Sequence, residues 1–233
     1  MIDGYDWAGG REAMLRFGPV DAPVVILALP LFEEANRTRG FSVTLLRALG
    51  EHGIGGALPD LPGTGESPVP TEEATIQGWR AAFAAAAASI DAPSIHAAAI
   101  RGGALLDRDA AVASRWQFAP AAGDALVREL LRAQRVAEPD SAVTLDLANP
   151  ADDGPPVTLA GNRIARGLLR ELHVAERSRE APLRVVRLES DPAVADARVP
   201  GVPLWRRAEP DNDPALAAVL ARDLAEWVRQ CGG

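Results

Sequence analysis

Apolar positions along this chain recur in two rhythms. Pro23 to Leu31, PVVILALPL, is a short β-branched run closed by prolines, the pattern of a buried strand. Arg39 to His52 then places Phe41, Leu45, Leu46 and Leu49 at helical spacing, with Gly53 as the stop. Gly53 to Asp60 reads as a second strand, followed by the turn LPGTGESP. Thr71 is placed to cap a helix that runs to about Ile90. SIHAAAI is a third strand, GALLDRDAAVA a short helix and SRWQFAP a fourth strand. Gly123 to Glu138 and Ala165 to Val174 are helical, with a loop rich in Pro, Asp and Ala from Pro139 to Pro156 between them. Ala181 to Ser190 is a late strand. Asp213 followed by Pro214 opens a last helix that shows Leu216, Val219, Leu220, Leu224 and Trp227 on one face.

Strands alternating with helices predict an α/β fold, a mostly parallel sheet covered on both faces. The first twenty residues fit a hairpin on its edge. With no repeat and no composition break, residues 1–233 form one domain, with a small cap over 121–156.

Charge narrows the partners. The formal charge is -8, which argues against nucleic acid or an anionic membrane as the main partner. Every cationic side chain is arginine, a composition bias rather than a functional signal. The single cysteine, Cys231, lies near the C-terminus, so no internal disulfide is available and a reducing compartment is expected. No signal peptide and no transmembrane run is read, and the expectation is a soluble, cytoplasmic protein. No Cys/His cluster supports a metal, and PGTGES lacks the G-K-[ST] of a phosphate loop, so no cofactor is expected.

In open α/β sheets ligands sit beyond the carboxyl ends of the strands. The segments delivered there are LPLFEEANRTRG, DLPGTGES, AIRGGAL and LESDPAVAD. Together they resemble the α/β-hydrolase fold, in which a nucleophile elbow, an acid and a histidine follow successive strands. The ordered motifs PLFEEANRTR, PDLPGTGES, AIRGGALL and LAGNRIARGLLREL narrow the resemblance. They are similar to the hydrolase-like proteins of bacterial exosortase A systems that carry arginine at the elbow. That resemblance implies a setting in exopolysaccharide production and C-terminal protein sorting.

Ala99, Ile100, Arg101, Gly102 and Gly103 keep the small-x-nucleophile-x-small shape of the elbow. Arginine stays protonated near neutral pH and is no nucleophile. Asp191 follows the late strand at the acid's position. No histidine lies between Val199 and Asp213, where the third triad member belongs. His52, His96 and His173 are all elsewhere, with His173 the first candidate for a relocated base. Serine–histidine hydrolysis is therefore not expected at this site.

The elbow is also a helix N-terminus, which favours anions, so a cation there calls for a negative partner. Glu33 and Glu34, next to Phe32 after the first strand, are the expected partners. One reading is an ion pair that plugs a vestigial pocket. The other is a carboxylate- or phosphate-binding site built from Arg101 and Gly102. Trp79, Trp116 and Trp227 are expected in the core, whereas Trp7 and Trp205 are candidates to line a groove. The leading expectation is a non-catalytic or catalytically altered hydrolase homologue, an accessory or binding protein with a small anionic ligand or a protein partner. The rival is a hydrolase of an ester, thioester or amide with a non-standard catalytic set. A subunit of a larger assembly is the third; its oligomeric state is left open.

Overall fold

The computed structural model describes residues 1–139, 145–149 and 154–232. The opening hairpin is present, with β1 (Ile2–Trp7) antiparallel to β2 (Gly10–Phe17). The parallel core follows: β3 (Val24–Ala28), β4 (Gly55–Pro59), β5 (Ile95–Ile100), β6 (Arg115–Phe118), β9 (Leu183–Leu188) and β10 (Ala197–Val199). One sheet takes all eight in the order β1-β2-β4-β3-β5-β6-β9-β10, with β2 antiparallel to β4 and every later pairing parallel. Two short strands, β7 (Val157–Leu159) and β8 (Asn162–Ile164), make a separate hairpin.

β3 shows why the sheet is covered on both faces. All five of its residues are buried. Val24, Ile26 and Ala28 belong to one core, with Trp79 and Phe83 of helix α2 (Ile76–Ala88). Val25 and Leu27 belong to the other, with Phe41, Leu45 and Leu49 of α1 (Glu33–Glu51) and Leu220 and Leu224 of α5 (Pro214–Cys231). Alternate side chains of a strand leave opposite faces, so a continuous apolar run serves two cores at once. Helices α3 (Gly123–Ala137) and α4 (Arg166–His173) pack on each other and add Leu126, Leu130, Leu168 and Leu172 to the first core.

Several local expectations change. α1 begins at Glu33, six residues before the apolar spacing starts, because its first turn is polar and faces the ends of the strands. Thr71 sits in a 3-10 turn (Thr71–Glu73), and the cap of α2 is Thr75, whose hydroxyl accepts from the Gly78 N–H at 2.9 Å. GALLDRDAAVA is two 3-10 turns, Arg101–Leu105 and Asp107–Asp109, rather than a helix. β7, β8 and β10 carry too few apolar residues to stand out in the sequence. The acidic pair Asp152-Asp153 and part of the Pro139–Pro156 loop lie outside the described residues. Among the described residues no helix is long and apolar enough to cross a membrane.

A buried carboxyl follows the elbow turn. Asp107 is fully buried, and the nearest cation, Arg115 Nε, is 4.0 Å from its Oδ2. Burial pushes its carboxyl up from 3.8 to about 6, against the opposing pull of Arg115. An acid raised in this way stabilises the fold fully below its unfolded value and loses that contribution as pH climbs through the folded one. The window runs from pH 3.8 to about 6 and corresponds to roughly 3 kcal/mol at most. Asp107→Asn is expected to exceed the parent's stability at pH 8 by up to that amount and to match it near pH 4. Urea unfolding at the two pH values measures this. A variant weaker at pH 8 shows that the Arg115 attraction outweighs burial.

Candidate functional site at the strand-to-helix elbow

β5 ends at Ile100, and the chain reverses at Arg101, whose φ of 54° is in the left-handed region. A non-glycine residue held there carries backbone strain and marks a position fixed by its surroundings. The turn is possible because Gly103 has no side chain. A Cβ at that position would lie 2.4 Å from the Ala28 carbonyl oxygen and 2.6 Å from that of Leu29. Gly102 is buried, with Leu31 and Leu126 against it. The loop after β3 is also strained, with Phe32 at φ 57° just before α1. Phe32 meets Trp79 edge to face at 5.8 Å.

Arg101 points into a nest of acceptors. Its Nε lies 3.3 and 3.2 Å from the two carboxylate oxygens of Glu34, and its Nη2 is 3.1 Å from Glu34 Oε1. The same Nη2 donates to Glu129 Oε2 at 2.9 Å. The guanidinium also sits over the Trp205 ring, 4.9 Å from its centroid, within cation–π range. Arg101 and Glu34 are nearly buried, at 11% and 12% side-chain exposure, whereas Glu129 is 35% exposed. Burial raises the Glu34 carboxyl above the ordinary range; Arg101 pulls it down, and Glu129 adds to the rise. Hence Glu34 holds a proton more readily than a surface glutamate, although it is ion-paired.

Trp205 stands in the segment where a triad histidine is expected, in a 3-10 turn (Leu204–Arg206) after β10. Its ring packs edge-on against Phe118, and its indole N–H is buried without a hydrogen-bond partner. Above this cluster is an open groove of about 640 Å³. Leu31, Glu33, Glu34, Leu126, Glu129 and Trp205 are part of its wall.

The remaining candidates are dispersed. Of the two expected acidic partners, Glu34 binds Arg101, while Glu33 pairs with Arg37 at 3.5 Å along α1. Asp191 does follow β9, but its carboxylate takes Arg187 at 2.6 Å and the Ala193 N–H at 3.0 Å. Burial alone would raise it, yet these donors hold it below the ordinary value. His173 ends α4, exposed, where its charge is felt by Asp124 at the start of α3 rather than by the elbow. His96 is buried between the hydroxyls of Ser114, 2.8 Å from its Nδ1, and Ser94, 3.0 Å from its Nε2, and burial lowers its pKa. This histidine stands near the start of β5, the opposite end from the elbow. Among the described residues no three His, Cys, Asp or Glu side chains gather as a metal would require.

Glu129 was not among the sequence candidates. It is one of several charged positions on an amphipathic helix, and nothing local separates it from its neighbours. Trp79 and Trp116 are core residues as expected, whereas Trp227 is half-buried and donates to the Arg115 carbonyl at 3.1 Å. Trp205, expected to line a groove, does so.

No protein-family model matches the sequence, and no curated protein matches it. Solved structures resemble it throughout. Est1E from Butyrivibrio proteoclasticus, with ferulic acid bound, superposes with a TM-score of 0.64 at 14% identity over 98% of each chain. The mouse alpha/beta hydrolase domain-containing protein 10 gives 0.63 at 16% identity over 99% of each chain. A thermophilic esterase from Thermogutta terrifontis gives 0.56 at 14% identity over the whole of both chains. At these identities the likeness establishes the α/β-hydrolase fold. It does not reach the exosortase-associated subtype that the motifs resemble.

Proposed function

We propose that this protein is a catalytically altered hydrolase that handles an ester, thioester or amide in the groove above Arg101 without forming an acyl-enzyme. The observation that carries the reading is the elbow itself. It keeps its strained conformation and close-packed glycines, yet it presents a guanidinium clamped by Glu34 and Glu129. The similar solved structures named esterase or hydrolase favour acyl chemistry over an unrelated use of the fold. In this fold the amide after the elbow apex and one from the loop after β3 are placed to receive a developing oxyanion. Gly102 and the Leu31–Phe32 stretch hold those positions here.

A carboxylate beside that site supplies the rest. Glu129, the more exposed of the pair, takes a proton from water as the water oxygen adds to the carbonyl carbon. The developing negative charge is met by Arg101 and the Gly102 amide. The bond to the leaving group then breaks, and Glu129 returns to that group the proton it took from water, while Glu34 stays paired with Arg101.

A second reading, a non-catalytic binding protein, is favoured by one specific feature. Arg101 is already satisfied by two carboxylates and an aromatic face, so the site is filled. An accessory role in exopolysaccharide or exosortase-linked envelope biogenesis belongs to this reading and rests on the sequence resemblance alone.

A panel of nitrophenyl esters, short thioesters and anilides separates the two. The expected result is slow turnover with no initial burst, reduced at least about 100-fold by Glu129→Gln, the usual scale of a general base. Folded protein that turns over none of the panel supports the binding reading. A stoichiometric burst overturns both.

A further inference from the structure

A second cavity lies on the other side of the loop after β3. It encloses about 290 Å³ between that loop, the turn after β4 and the start of α2. Leu31 is shared with the groove above Arg101, but Arg101, Glu34, Glu129 and Trp205 are not part of this cavity. It too sits beyond the carboxyl ends of the strands, where α/β sheets hold ligands.

Its wall has two kinds of surface. Phe32, at 9% exposure, supplies the accessible aromatic surface, backed by the fully buried Trp79 and Phe83. The Trp79 indole N–H is spent on the Pro62 carbonyl at 2.8 Å within the core. The polar side holds Arg39 and Asn36, one helical turn apart on α1. Arg39 pairs with a single carboxylate, its Nη2 lying 3.0 Å from Asp60 Oδ1 in an ion pair without hydrogen-bond alignment. Asp60 is itself pinned, since it is 5% exposed and its Oδ2 accepts from the Glu66 N–H at 3.2 Å. Gly65, at φ 56°, lies directly against that carboxylate; a Cβ there would be 2.3 Å from Oδ1. The turn DLPGTGES thus holds Asp60 and sets its charge beside Arg39. Nε and Nη1 of Arg39 have no partner among the described residues, and neither has the Asn36 side-chain amide.

A guanidinium beside one carboxylate, with its other N–H groups free, can receive a second carboxylate, because its planar fork matches two carboxylate oxygens. Arg101 shows that this chain already seats a guanidinium between two carboxylates. The volume is near the lower limit of small-molecule sites, which are mostly apolar with few directing polar groups. We infer that this cavity binds a small carboxylic acid with a flat or compact apolar body. Its carboxylate bridges Arg39 and Asn36, and its apolar end lies against Phe32. The site shares the Leu31–Phe32 loop with the proposed acyl chemistry, but its polar groups are different ones, so binding here does not require that chemistry.

Titration calorimetry with benzoate, phenylacetate and the neutral isostere benzamide tests this. Benzoate or phenylacetate is expected to bind, and benzamide at least about tenfold more weakly, since it cannot form the charge-assisted pair. Arg39→Met is expected to abolish the acid's advantage. Ala35→Leu, which fills the cavity and keeps Arg39, is expected to abolish binding altogether. The double variant Arg101→Met, Glu34→Gln removes the neighbouring ion pair as a unit and is expected to leave binding unchanged. If Arg39→Met proves unfolded, Ala35→Leu and the benzamide comparison decide alone. The inference is overturned by no binding of either acid, by binding that survives Ala35→Leu, by equal affinity for benzamide, or by loss in an Arg101 double variant that circular dichroism shows to be folded.

Discussion

Arg101→Met lowers the stability of the protein by about 3–5 kcal/mol at pH 8, the scale expected when one member of a buried ion pair is removed. Methionine keeps the unbranched apolar stem, so the loss reports chiefly the guanidinium and its pairings. Glu34 accounts for most of it, because its carboxylate is 12% exposed and would be left without its cation. Glu129, at 35% exposure, is screened by solvent and contributes little. The pH dependence has a defined sign. Burial already raises Glu34, and removing Arg101 deletes the influence that opposes the rise. An acid raised further is favoured in its protonated form, so the variant recovers stability as pH falls and is worst at alkaline pH. Urea unfolding at pH 5 and pH 8 is expected to show a smaller deficit at pH 5. Adding Glu34→Gln is expected to recover part of the loss, as coupled partners do in a double-mutant cycle. Equal deficits at both pH values, together with additive effects, would rule out the pair as the anchor of the elbow.

Gly103→Ala is expected to be as damaging by a different route. The added methyl would meet the carbonyl oxygens of Ala28 and Leu29 at 2.4 and 2.6 Å. Both are backbone atoms at the end of β3, a strand buried on both faces, so neither yields as a flexible side chain would. Overpacking of this kind usually costs about 1–3 kcal/mol, and more where backbone must move. A loss of roughly 3 kcal/mol or more, or failure to accumulate folded protein, is the expected outcome. Gly102→Ala serves as the comparison. There the new methyl meets only Leu31 and Leu126 side-chain atoms at 3.3 and 3.4 Å, and a milder effect is expected. A Gly103→Ala protein as stable as Gly102→Ala would show that the two segments are not locked together.

The elbow illustrates what is readable in a sequence and why. Small residues around Arg101 are a local requirement, imposed where a strand and a turn pass close to another backbone. They therefore appear as the contiguous string AIRGGAL. The absence of a nucleophile and of a downstream histidine is equally local, a matter of residue type in a short window. Even the choice between Glu33 and Glu34 was narrowed to two by position. It was left to the helix to decide. With α1 starting at Glu33, the two side chains diverge, Glu33 toward Arg37 and Glu34 toward the elbow.

Glu129 and Trp205 mark the limit. They lie 28 and 104 positions after Arg101 in the chain and share no motif with it. The same holds for the second cavity, where Arg39 of α1 meets Asp60 of the turn after β4. DLPGTGES could be read as a loop capped by its aspartate, and Asp60 does accept the Glu66 N–H. That its other oxygen faces an arginine is set by the packing of α1 against the strands.

The sequence by itself determined the layered α/β architecture, the elbow and its missing chemistry, because periodicity, glycine placement and residue type act over a few neighbouring positions. Only the tertiary structure decided what replaces that chemistry. The Arg101–Glu34–Glu129–Trp205 cluster and the Arg39–Asp60 pair each join side chains from separate elements. A charge that leaves water must find its partner in space, and no local rule of spacing says which distant residue that will be.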